Sequence, residues 1–509
     1  MLTEISPIIL LNGDDDVFVA RRTIEAGTNV GNGVIARERI MRGHKMARRD
    51  MPEGAPVHKY GQIIGHTTMP VLAGSHMHLH NLGMLDVSLH HEFCSANSET
   101  GMLPLAERAT FSGYDRGNGR IGTRNYIGIL STVNCSATVS RYIAEHVNRS
   151  GMLKTHPSID GIVALTWGGG CAFNANAEGA RILKRTFQGY ALNPNFGGML
   201  MIGLGCETFQ FGPLFEDGKL TEGTTFRTMM IQQSGGTRKT IDSACDMIAS
   251  MLDEVGSIRR TQVPVSGLKV ALECGGSDGY SGITANPALG FASDMLVRNG
   301  ATTVLAETPE IYGAEHLLTR RAATPDIAEK LLERIRWWQD YTARSDAELN
   351  NNPSHGNKAG GLTTILEKSL GAVAKGGSMP LKAVYEYAEQ IREPGFVFMD
   401  TPGYDPVAVT GQIAGGCNIV AFTTGRGSVS GYKPAPCVKI ATNTTMYDQL
   451  KDDMDINCGT IADGVETIEE AGKRIYDEII AVASGKKSAS EQYDYGDNEF
   501  VPWQVGAVT

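Results

Sequence analysis

Hydrophobic residues along this chain follow two different patterns, and the change between them falls near residue 110. Before that point, short β-rich pieces alternate with Gly, Asp and Pro turns, and almost no helical period is present. These pieces lie at residues 8–11, 17–20, 56–59 and 63–67. The pattern predicts a small all-β module at residues 1–95, followed by a linker at residues 96–110.

The rest of the chain has the strand–turn–helix order that is typical of α/β proteins. Amphipathic periods predict helices at residues 137–148, 177–188, 241–255, 325–344 and 468–484. A polar segment at residues 256–264, which ends in proline, divides this part in two. We therefore expect a multidomain protein, with α/β regions of mainly parallel sheet at residues 111–255 and 265–509.

Four strand-like runs end at a cysteine, beside glycines or other small residues: Cys135, Cys171, Cys206 and Cys274. An open α/β sheet binds its ligands beyond the carboxyl ends of its strands, so this placement favours a functional site. The alternative is that these cysteines are small buried hydrophobes, which is a common role for free cysteine.

The composition, with 41% hydrophobic and 20% charged residues among 509, is typical of a soluble globular protein. A net charge of -10 argues against nucleic acid as the main partner. We find no signal peptide and no membrane-spanning stretch, and the nine cysteines include no CxxC pair. We expect reduced thiols in a cytoplasmic homo-oligomer that has no membrane partner.

Three histidines alternate with other residues at positions 76, 78 and 80. On a strand, a period of two places His76, His78 and His80 on the same face. Neutral imidazoles that converge in this way suit a divalent metal, whereas the alternative is a solvated face of an edge strand.

The segment from Glu273 to Pro287 is the densest polar turn of the chain. Its glycines expose successive backbone N–H groups that can bind an anion, and Ser277 and Asp278 add polar side chains. Asn286 is expected to cap a helix that begins at Pro287. The alternative is a capped turn that binds no ligand.

Two further glycine-bracketed clusters each offer one cation, Lys358 beside Asn357 and Arg426 after a strand-like run. Both cations can bind a carboxylate, and the arginine can do so with two hydrogen bonds. Glu307 and Glu310 follow the strand-like run at residues 302–305, where a carboxylate can act as a base or as a metal ligand.

The chain contains no Walker loop, no HExxH, no GxGxxG after a strand and no GxSxG elbow. These absences argue against an NTPase, a nucleotide-dependent dehydrogenase and a serine hydrolase.

Taken together, the motifs resemble the altronate/galactarate dehydratase family. The N-terminal module resembles the SAF domain, a β-clip fold, and its histidine segment is similar to the altronate branch. Residues 191–196 and 459–462 are more similar to the galactarate branch, and His355 stands where the family usually has proline. The matching segments include Phe111-Ser-Gly-Tyr114, Gly122-Thr-Arg-Asn125, Ile202-Gly-Leu-Gly-Cys-Glu207, Glu273-Cys-Gly-Gly-Ser-Asp278, Gly282-Ile-Thr-Ala-Asn-Pro287, Gly356-Asn-Lys358 and Thr423-Thr-Gly-Arg-Gly427.

The resemblance implies loss of water from a sugar acid such as galactarate or altronate, which gives a 2-keto-3-deoxy acid. It also implies a divalent metal, with Fe2+ expected and Mn2+ or Zn2+ as alternatives. We hypothesise a metal site from His76, His78, His80, Cys135, Cys171 and Cys206. The expected catalytic residues are Asp278, Glu310, Cys274 and His355, and the expected substrate-binding residues are Ser277, Asn286, Asn357, Lys358 and Arg426.

Three other functions fit parts of this pattern. A lyase of the same kind can expel another β-group, such as sulfite from sulfolactate. An iron–sulfur redox protein would use the four cysteines without catalysing elimination, although the lack of CxxC argues against a ferredoxin-like arrangement. The third is a module that only binds sugar acids.

Overall fold

The computed structural model describes residues 5–85, 91–172, 174–216, 220, 222–223 and 225–506. It confirms the predicted fold class, because an all-β N-terminal module is followed by two regions built on parallel sheets. Among the described residues, no helix has both the length and the apolar surface needed to cross a membrane.

In the N-terminal module, residues 5–85 form nine short strands with antiparallel pairing. They form a four-stranded sheet in the order β1-β2-β5-β8, a three-stranded sheet β6-β7-β9 and the hairpin β3-β4. The strands are β1 Ile8–Ile9, β2 Val17–Ala20, β3 Asn29–Gly31, β4 Val34–Ile35, β5 Lys45–Ala47, β6 Pro56–Lys59, β7 Gln62–Thr67, β8 His76–Met77 and β9 Leu82–Gly83.

The middle region is a four-stranded parallel sheet in the order β13-β12-β14-β15. Helices α1 and α4 cover one face, α2 covers the other, and the short antiparallel sheet β11-β10-β16 joins the ends of the region. Its strands are β10 Thr110–Asp115, β11 Ile121–Gly122, β12 Tyr126–Ser131, β13 Gly161–Leu165, β14 Phe196–Gly203, β15 Phe226–Met230 and β16 Thr261–Pro264. Its helices are α1 Asn134–Ser150, α2 Glu178–Leu192, α3 Phe211–Phe215 and α4 Thr237–Ser257.

The C-terminal region is a seven-stranded parallel sheet in the order β19-β20-β18-β17-β21-β22-β23. Its strands are β17 Lys269–Cys274, β18 Thr302–Leu305, β19 Leu381–Tyr385, β20 Phe396–Met399, β21 Ile419–Thr424, β22 Cys437–Ala441 and β23 Ile456–Asn457. Its helices are α5 Ala285–Arg298, α6 His316–Thr319, α7 Pro325–Arg344, α8 His355–Ala359, α9 Ile365–Val373, α10 Asp405–Ala414, α11 Thr444–Gln449, α12 Gly459–Ala462, α13 Ile468–Ala483 and α14 Ala489–Gln492.

The strand order of this sheet reverses at its centre. From β17 the chain first moves to β18 on one side, and it later returns to β21 on the other side. A crevice outside the carboxyl ends of two such strands is the usual ligand site of an open α/β sheet. The Cys274 turn lies at that point, where Gly275 N donates to Thr423 O at 3.1 Å.

The prediction that a helix begins at Pro287 is wrong, because that helix begins two residues earlier. Helix α5 begins at Ala285 after Thr284, so Asn286 lies inside the helix and does not cap it. Its side chain is used elsewhere, because Nδ2 donates to Gly371 O at 2.9 Å and Oδ1 accepts from Thr423 Oγ1 at 2.6 Å. Asn286 therefore ties α5 to the end of β21.

A buried ion cluster joins the N-terminal module to the C-terminal region. Glu367 on α9 accepts from Lys45 Nζ at 2.7 Å and from Lys59 Nζ at 2.8 Å. Thr363 supplies two more donors to the same carboxylate, at 2.7 and 3.0 Å. Burial opposes ionisation of Glu367, but the two lysines outweigh it and hold the pKa of Glu367 far below its ordinary value. Together these bonds hold the two domains in contact.

Candidate active site

Three side chains that can bind a metal converge at the ends of β17 and β18. Cys274 Sγ lies 3.7 Å from Glu307 Oε2 and 3.7 Å from Glu310 Oε2. One ligand atom from each of the three lies within 4.8 Å of the other two, and all three residues are buried. In the described part of the chain, no other set of three His, Cys, Asp or Glu residues meets that distance.

Two buried lysines neutralise part of this site. Lys375 Nζ lies 2.9 Å from Cys274 Sγ and 3.2 Å from Glu307 Oε2. Lys368 Nζ lies 2.7 Å from Glu310 Oε1. Burial alone would lower the pKa of each lysine, but the neighbouring acidic groups outweigh it and raise both pKa values. Both lysines are therefore protonated at neutral pH. We call these five residues, together with the buried Glu273, the Cys274 cluster.

The Cys274 cluster and the adjacent Asp405 contain more acidic groups than basic ones. Burial, reinforced by nearby carboxylates, raises the pKa of Glu273 and of Glu307, and it raises that of Asp405 to about 7. Glu273 and Glu307 can share a hydrogen bond when one of the two is protonated, and apart from it both carboxylate oxygens of Glu273 and Glu307 Oε1 have no partner among the described residues. A buried carboxylate oxygen such as Glu307 Oε1, beside the Cys274 thiol and Glu310, fits a bound divalent cation, which would satisfy this oxygen and balance part of the charge.

The backbone holds Glu307 in an unusual conformation. Its φ of 68° and ψ of 66° lie in the left-handed region, which is uncommon for any residue other than glycine. The amide of Glu307 donates to Thr401 Oγ1 at 2.9 Å, and this bond helps to hold the conformation. Such strain is concentrated at functional sites, where it positions a side chain that regular structure would not.

The polar turn after β17 forms a framework around the cluster. Asp278 accepts four hydrogen bonds, from Tyr280 N at 3.1 Å, Ser281 Oγ at 3.1 Å, Thr442 Oγ1 at 2.9 Å and Asn443 Nδ2 at 3.0 Å. Because these donors occupy its oxygens, Asp278 is better placed to shape the turn than to accept a substrate proton. Ser277 is buried, and its carbonyl accepts from Asn357 Nδ2 at 2.8 Å.

The two predicted substrate-binding cations, Lys358 and Arg426, lie near the protein surface around the Cys274 turn, and we call this surface the rim. Lys358 is half-buried on α8, whereas His355 at the start of α8 and Arg426 after β21 are exposed. The turn that contains Arg426 is joined to the Cys274 turn, since Arg426 N donates to Gly276 O at 2.8 Å. These side chains are therefore open to a substrate that approaches the switch point of the sheet.

The predicted histidines lie at the junction between the N-terminal module and α8. His76 and His78 stack at 5.4 Å between ring centroids, and the rings of His76 and exposed His80 lie 5.6 Å apart. A fourth histidine, His44, also belongs to this group. It was not predicted from the sequence, because it directly precedes β5 and is more than thirty residues away from the other three in the chain. Its Nδ1 is 3.0 Å from His76 Nε2. We call these four residues the histidine cluster.

The hydrogen bonds of the histidine cluster determine its tautomers. His44 Nε2 is 3.2 Å from Ala359 O and His78 Nε2 is 2.9 Å from Lys358 O, and a carbonyl can only accept. Burial, followed by smaller contributions, lowers the pKa of His44 to about 4, that of His76 to about 3 and that of His78 below its ordinary value. The neutral His44 therefore accepts from His76, which leaves Nδ1 of His76 and of His78 unprotonated.

These lowered pKa values predict acid sensitivity of the domain junction. An unfolded chain protonates histidine near pH 6.5, but His44 and His76 in the fold stay neutral to about pH 4 and 3. The unfolded state therefore binds more protons in this window, and stability falls as pH drops through it. The midpoint of urea unfolding at pH 7.5 and 5.0 should fall less in His76→Gln than in the unchanged protein. Exposed His146→Gln is the control, and equal pH slopes in all three proteins would contradict the lowered pKa of His76.

The structure does not bring the other three predicted thiols to either cluster. Cys135, Cys171 and Cys206 are exposed and follow β12, β13 and β14 of the middle sheet. In the described ranges, no set of three ligand atoms within 4.8 Å contains one of them or a residue of the histidine cluster.

Neither lysine of the Cys274 cluster was predicted from the sequence. Lys368 and Lys375 lie in and just after α9, whose residues are all buried. The presence of charged side chains in so apolar a helix could have indicated a buried charged site, since buried lysines are rare unless they are paired.

Comparison with known proteins agrees with this domain order. Residues 6–85 match the altronate/galactarate dehydratase SAF domain, and residues 113–256 match the second domain of D-galactarate dehydratase/altronate hydrolase. Residues 265–508 match the C-terminal domain of D-galactarate/altronate dehydratase.

Full-length relatives show the same similarity. The chain is 37% identical to galactarate dehydratase (L-threo-forming) of Escherichia coli K12, over 94% of this chain and 92% of that protein. It is 33% identical to altronate dehydratase of Bacillus subtilis 168, over 96% and 97% of the two chains. It is 31% identical to the (2R)-sulfolactate sulfo-lyase subunit beta of Chromohalobacter salexigens, over 77% of this chain and 96% of that one.

Proposed function

The chain belongs to the galactarate/altronate dehydratase family, and we propose that it removes water from a sugar acid to give a 2-keto-3-deoxy acid. The observation that most supports this function is the Cys274 cluster, in which a thiol, carboxylates and lysines converge at the switch point of a parallel sheet. Galactarate and altronate, the substrates named for the relatives, are the first candidates.

The chemistry of the reaction explains why such a cluster is needed. Loss of the proton next to a carboxylate creates a second negative charge on that group, and this charge must be stabilised in the transition state. Lys375 and Lys368 hold two positive charges in a water-excluded site, where electrostatic stabilisation is strong. The β-hydroxyl then takes up a proton and leaves as water, and the enol product becomes the keto acid by gaining one proton from solvent at C3 and releasing the proton of its enol hydroxyl.

Cys274, Glu307 and Glu310 would hold a divalent metal ion, which supplies a Lewis acid when bound. The thiolate favours Fe2+ or Zn2+ over Mg2+ or Ca2+, and the family resemblance makes Fe2+ the first expectation. We also assign Glu310 to accept the substrate proton, because its Oε2 has only the Cys274 thiol as a donor among the described residues, while Lys368 holds its Oε1. Asn352 Nδ2, at 2.7 Å from Oε1, orients it.

Lys358 and Arg426 are assigned to bind substrate carboxylate groups at the rim. Helix α8 is held on both sides of Lys358, by Asn357 on the Ser277 carbonyl and by His78 on the Lys358 carbonyl. These contacts place the Lys358 backbone between the N-terminal module and the Cys274 turn, which supports the assignment of its ammonium group to this rim. His355 is assigned to the same rim, and the buried Ser277 is assigned to the substrate site through the Cys274 turn that carries it.

Replacing Lys358 by Met is expected to raise KM about 10- to 100-fold with a smaller effect on kcat, because one charged contact to a carboxylate is lost. Steady-state kinetics with the identified sugar acid would measure this effect. The matched control is Lys382→Met on the distant edge strand β19, which should leave both constants unchanged. Equal KM values for Lys358→Met and the unchanged protein would remove Lys358 from the binding site.

A second candidate function is elimination of sulfite from a sulfonated hydroxy acid. It is favoured by the sulfo-lyase relative, which aligns with the chain over nearly its own full length. The same cluster would abstract the α-proton, and sulfite would leave in place of water.

One experiment separates the two functions. The purified protein, loaded anaerobically with Fe2+, is incubated with a panel of aldonic acids, aldaric acids and sulfolactate, and keto acid and sulfite are both measured. We expect keto acid from one sugar acid, lost on chelation and without sulfite. Sulfite from sulfolactate, with no keto acid from any sugar acid, would replace the dehydratase proposal.

A further inference from the structure

The middle sheet ends in three exposed cysteines, one beyond each of three neighbouring parallel strands. Cys135, Cys171 and Cys206 follow β12, β13 and β14, which lie side by side with β12 in the centre. We call them the thiol triad. They lie outside the Cys274 cluster and the histidine cluster, and nothing in the proposed dehydration uses them.

Exposure distinguishes the thiol triad from the other cysteines. Cys245, Cys274, Cys417, Cys437 and Cys458 are buried and Cys94 is half-buried, which matches the usual behaviour of free cysteine. An exposed thiol is open to oxidation, so three of them at one edge of one sheet are not explained by packing. A bound group that uses their sulfur atoms explains both the exposure and the common position.

Backbone hydrogen bonds join the three loops close to each thiol. Asn134 N, next to Cys135, donates to Gly169 O at 2.9 Å. Cys171 O accepts from Thr208 N at 3.1 Å, two residues beyond Cys206. Thr132 N donates to Ile202 O at 3.0 Å, which joins the first loop to the third. The thiol triad is therefore carried on one connected piece of backbone.

Glycines and polar groups shape this edge. Gly170 (φ 101°) precedes Cys171 and Gly205 (φ 125°) precedes Cys206, and both conformations favour glycine. Glu207, beside Cys206, accepts from Gly205 N at 2.7 Å and from Thr132 Oγ1 at 2.9 Å. These contacts fix the loops without using the thiols.

Two further features favour a bound anionic group. Cys135 is the second residue of α1, a helix of 17 residues whose amino end favours negative charge. The indole of Trp167 is 8% exposed, and its Nε1 has no hydrogen-bond partner among the described residues. This ring packs against Gly169 and Gly170, directly before Cys171. A donor that is buried and unpaired at such an edge indicates an acceptor that the described residues do not provide.

The spacing of the thiols discriminates between kinds of metal centre. In the described residues the thiol triad is not among the sets with all ligand atoms within 4.8 Å, so at least two of the sulfur atoms lie farther apart. A single tetrahedral ion needs its thiolates closer than that. An iron–sulfur cluster binds each thiolate to a different iron, and it therefore spans more widely separated thiols.

We propose that Cys135, Cys171 and Cys206 bind a [4Fe–4S] cluster, with one cysteine on each of three irons and no cysteine on the fourth. Because one ligand comes from each strand end, the site needs no CxxC motif. On transfer of a preformed cluster that has four small thiolate ligands, three of these are released. Each takes up the proton of the cysteine thiol that replaces it, so no oxidant or reductant is needed.

The test mixes the whole chain anaerobically with such a synthetic cluster and removes the excess. Iron and acid-labile sulfide should each reach about four per chain, with visible charge-transfer absorption. The triple variant Cys135→Ser/Cys171→Ser/Cys206→Ser should bind neither. The matched control Cys94→Ser should bind iron and sulfide fully. Cys274→Ser should also bind them fully, and this result would separate the cluster site from the proposed active site.

A second measurement needs no variant. In the cluster-loaded protein, alkylation by iodoacetamide should be at least tenfold slower at the thiol triad than in the cluster-free protein, and the rate at Cys94 should be unchanged. Cluster uptake by the triple variant, iron uptake without sulfide, or equal alkylation of the triad with and without cluster would each overturn the proposal.

Discussion

Replacing Glu310 by Gln is expected to lower kcat/KM for dehydration by about 10²- to 10⁴-fold, the range for loss of a positioned acid–base group. The amide keeps the size of the side chain and its contact with Asn352, but it cannot accept the substrate proton. It also weakens one of the three ligands to the metal, and it leaves Lys368 without its charged partner at 2.7 Å. The measurement is the initial rate of keto acid formation by the ferrous protein.

Glu315→Gln is the matched control for this prediction. Glu315 is also buried and lies five positions later in the same connection, but it accepts from Gly313 N and contacts His91, away from the cluster. Its replacement should change kcat/KM less than threefold. If Glu310→Gln remained folded and kept more than a tenth of the activity, Glu310 would be neither base nor ligand.

Replacing Glu367 by Gln is expected to destabilise the protein by about 3–5 kcal/mol, the usual cost of breaking a buried charged network. The substitution leaves the ammonium groups of Lys45 and Lys59 buried without a counter-charge. It also places an amide donor where Thr363 now donates to the carboxylate. Urea unfolding, followed by proteolysis of the N-terminal module, would measure both the loss of stability and the domain that separates first.

The same carboxylate gives a defined dependence on pH. The folded-state pKa of Glu367 is below the ordinary value of 4.5, so its stabilisation is complete above that pH and is lost as pH falls below it. In Glu367→Gln this part of the acid response should be absent. Exposed Asp477, paired with Lys473, is the control, since Asp477→Asn should change stability by less than about 1 kcal/mol. A similar small effect at both sites would contradict the role given to the buried cluster.

Local sequence patterns predicted the architecture because the elements are regular. Helix α7 spans the predicted residues 325–344, and α13 ends one residue before the prediction. Strand-end position also predicted Cys274 and Glu310 as neighbours of a site, because the carboxyl ends of adjacent parallel strands meet at one edge. The predicted beginning of α5 was wrong, because the side chain of Asn286 makes a tertiary contact instead of capping the helix.

The remaining site residues depend on contacts between distant parts of the chain. Lys375 meets Cys274 across about a hundred positions, and His44 meets His76 only after two strands have paired. A periodic pattern contains no information on such pairs. For the same reason it could not separate Cys274, which is buried beside carboxylates, from Cys135, Cys171 and Cys206, which are exposed at another sheet.

The most direct test of the proposed dehydration is product analysis in D2O. The anaerobic ferrous protein and Glu310→Gln are each incubated with galactarate and with altronate, and the products are identified by NMR. We expect a 2-keto-3-deoxy acid with one solvent deuterium at C3 from the unchanged protein, and almost none from the variant. Formation of the same product at equal rates by both proteins would contradict the assignment of the active site, and no keto acid from any sugar acid would contradict the function.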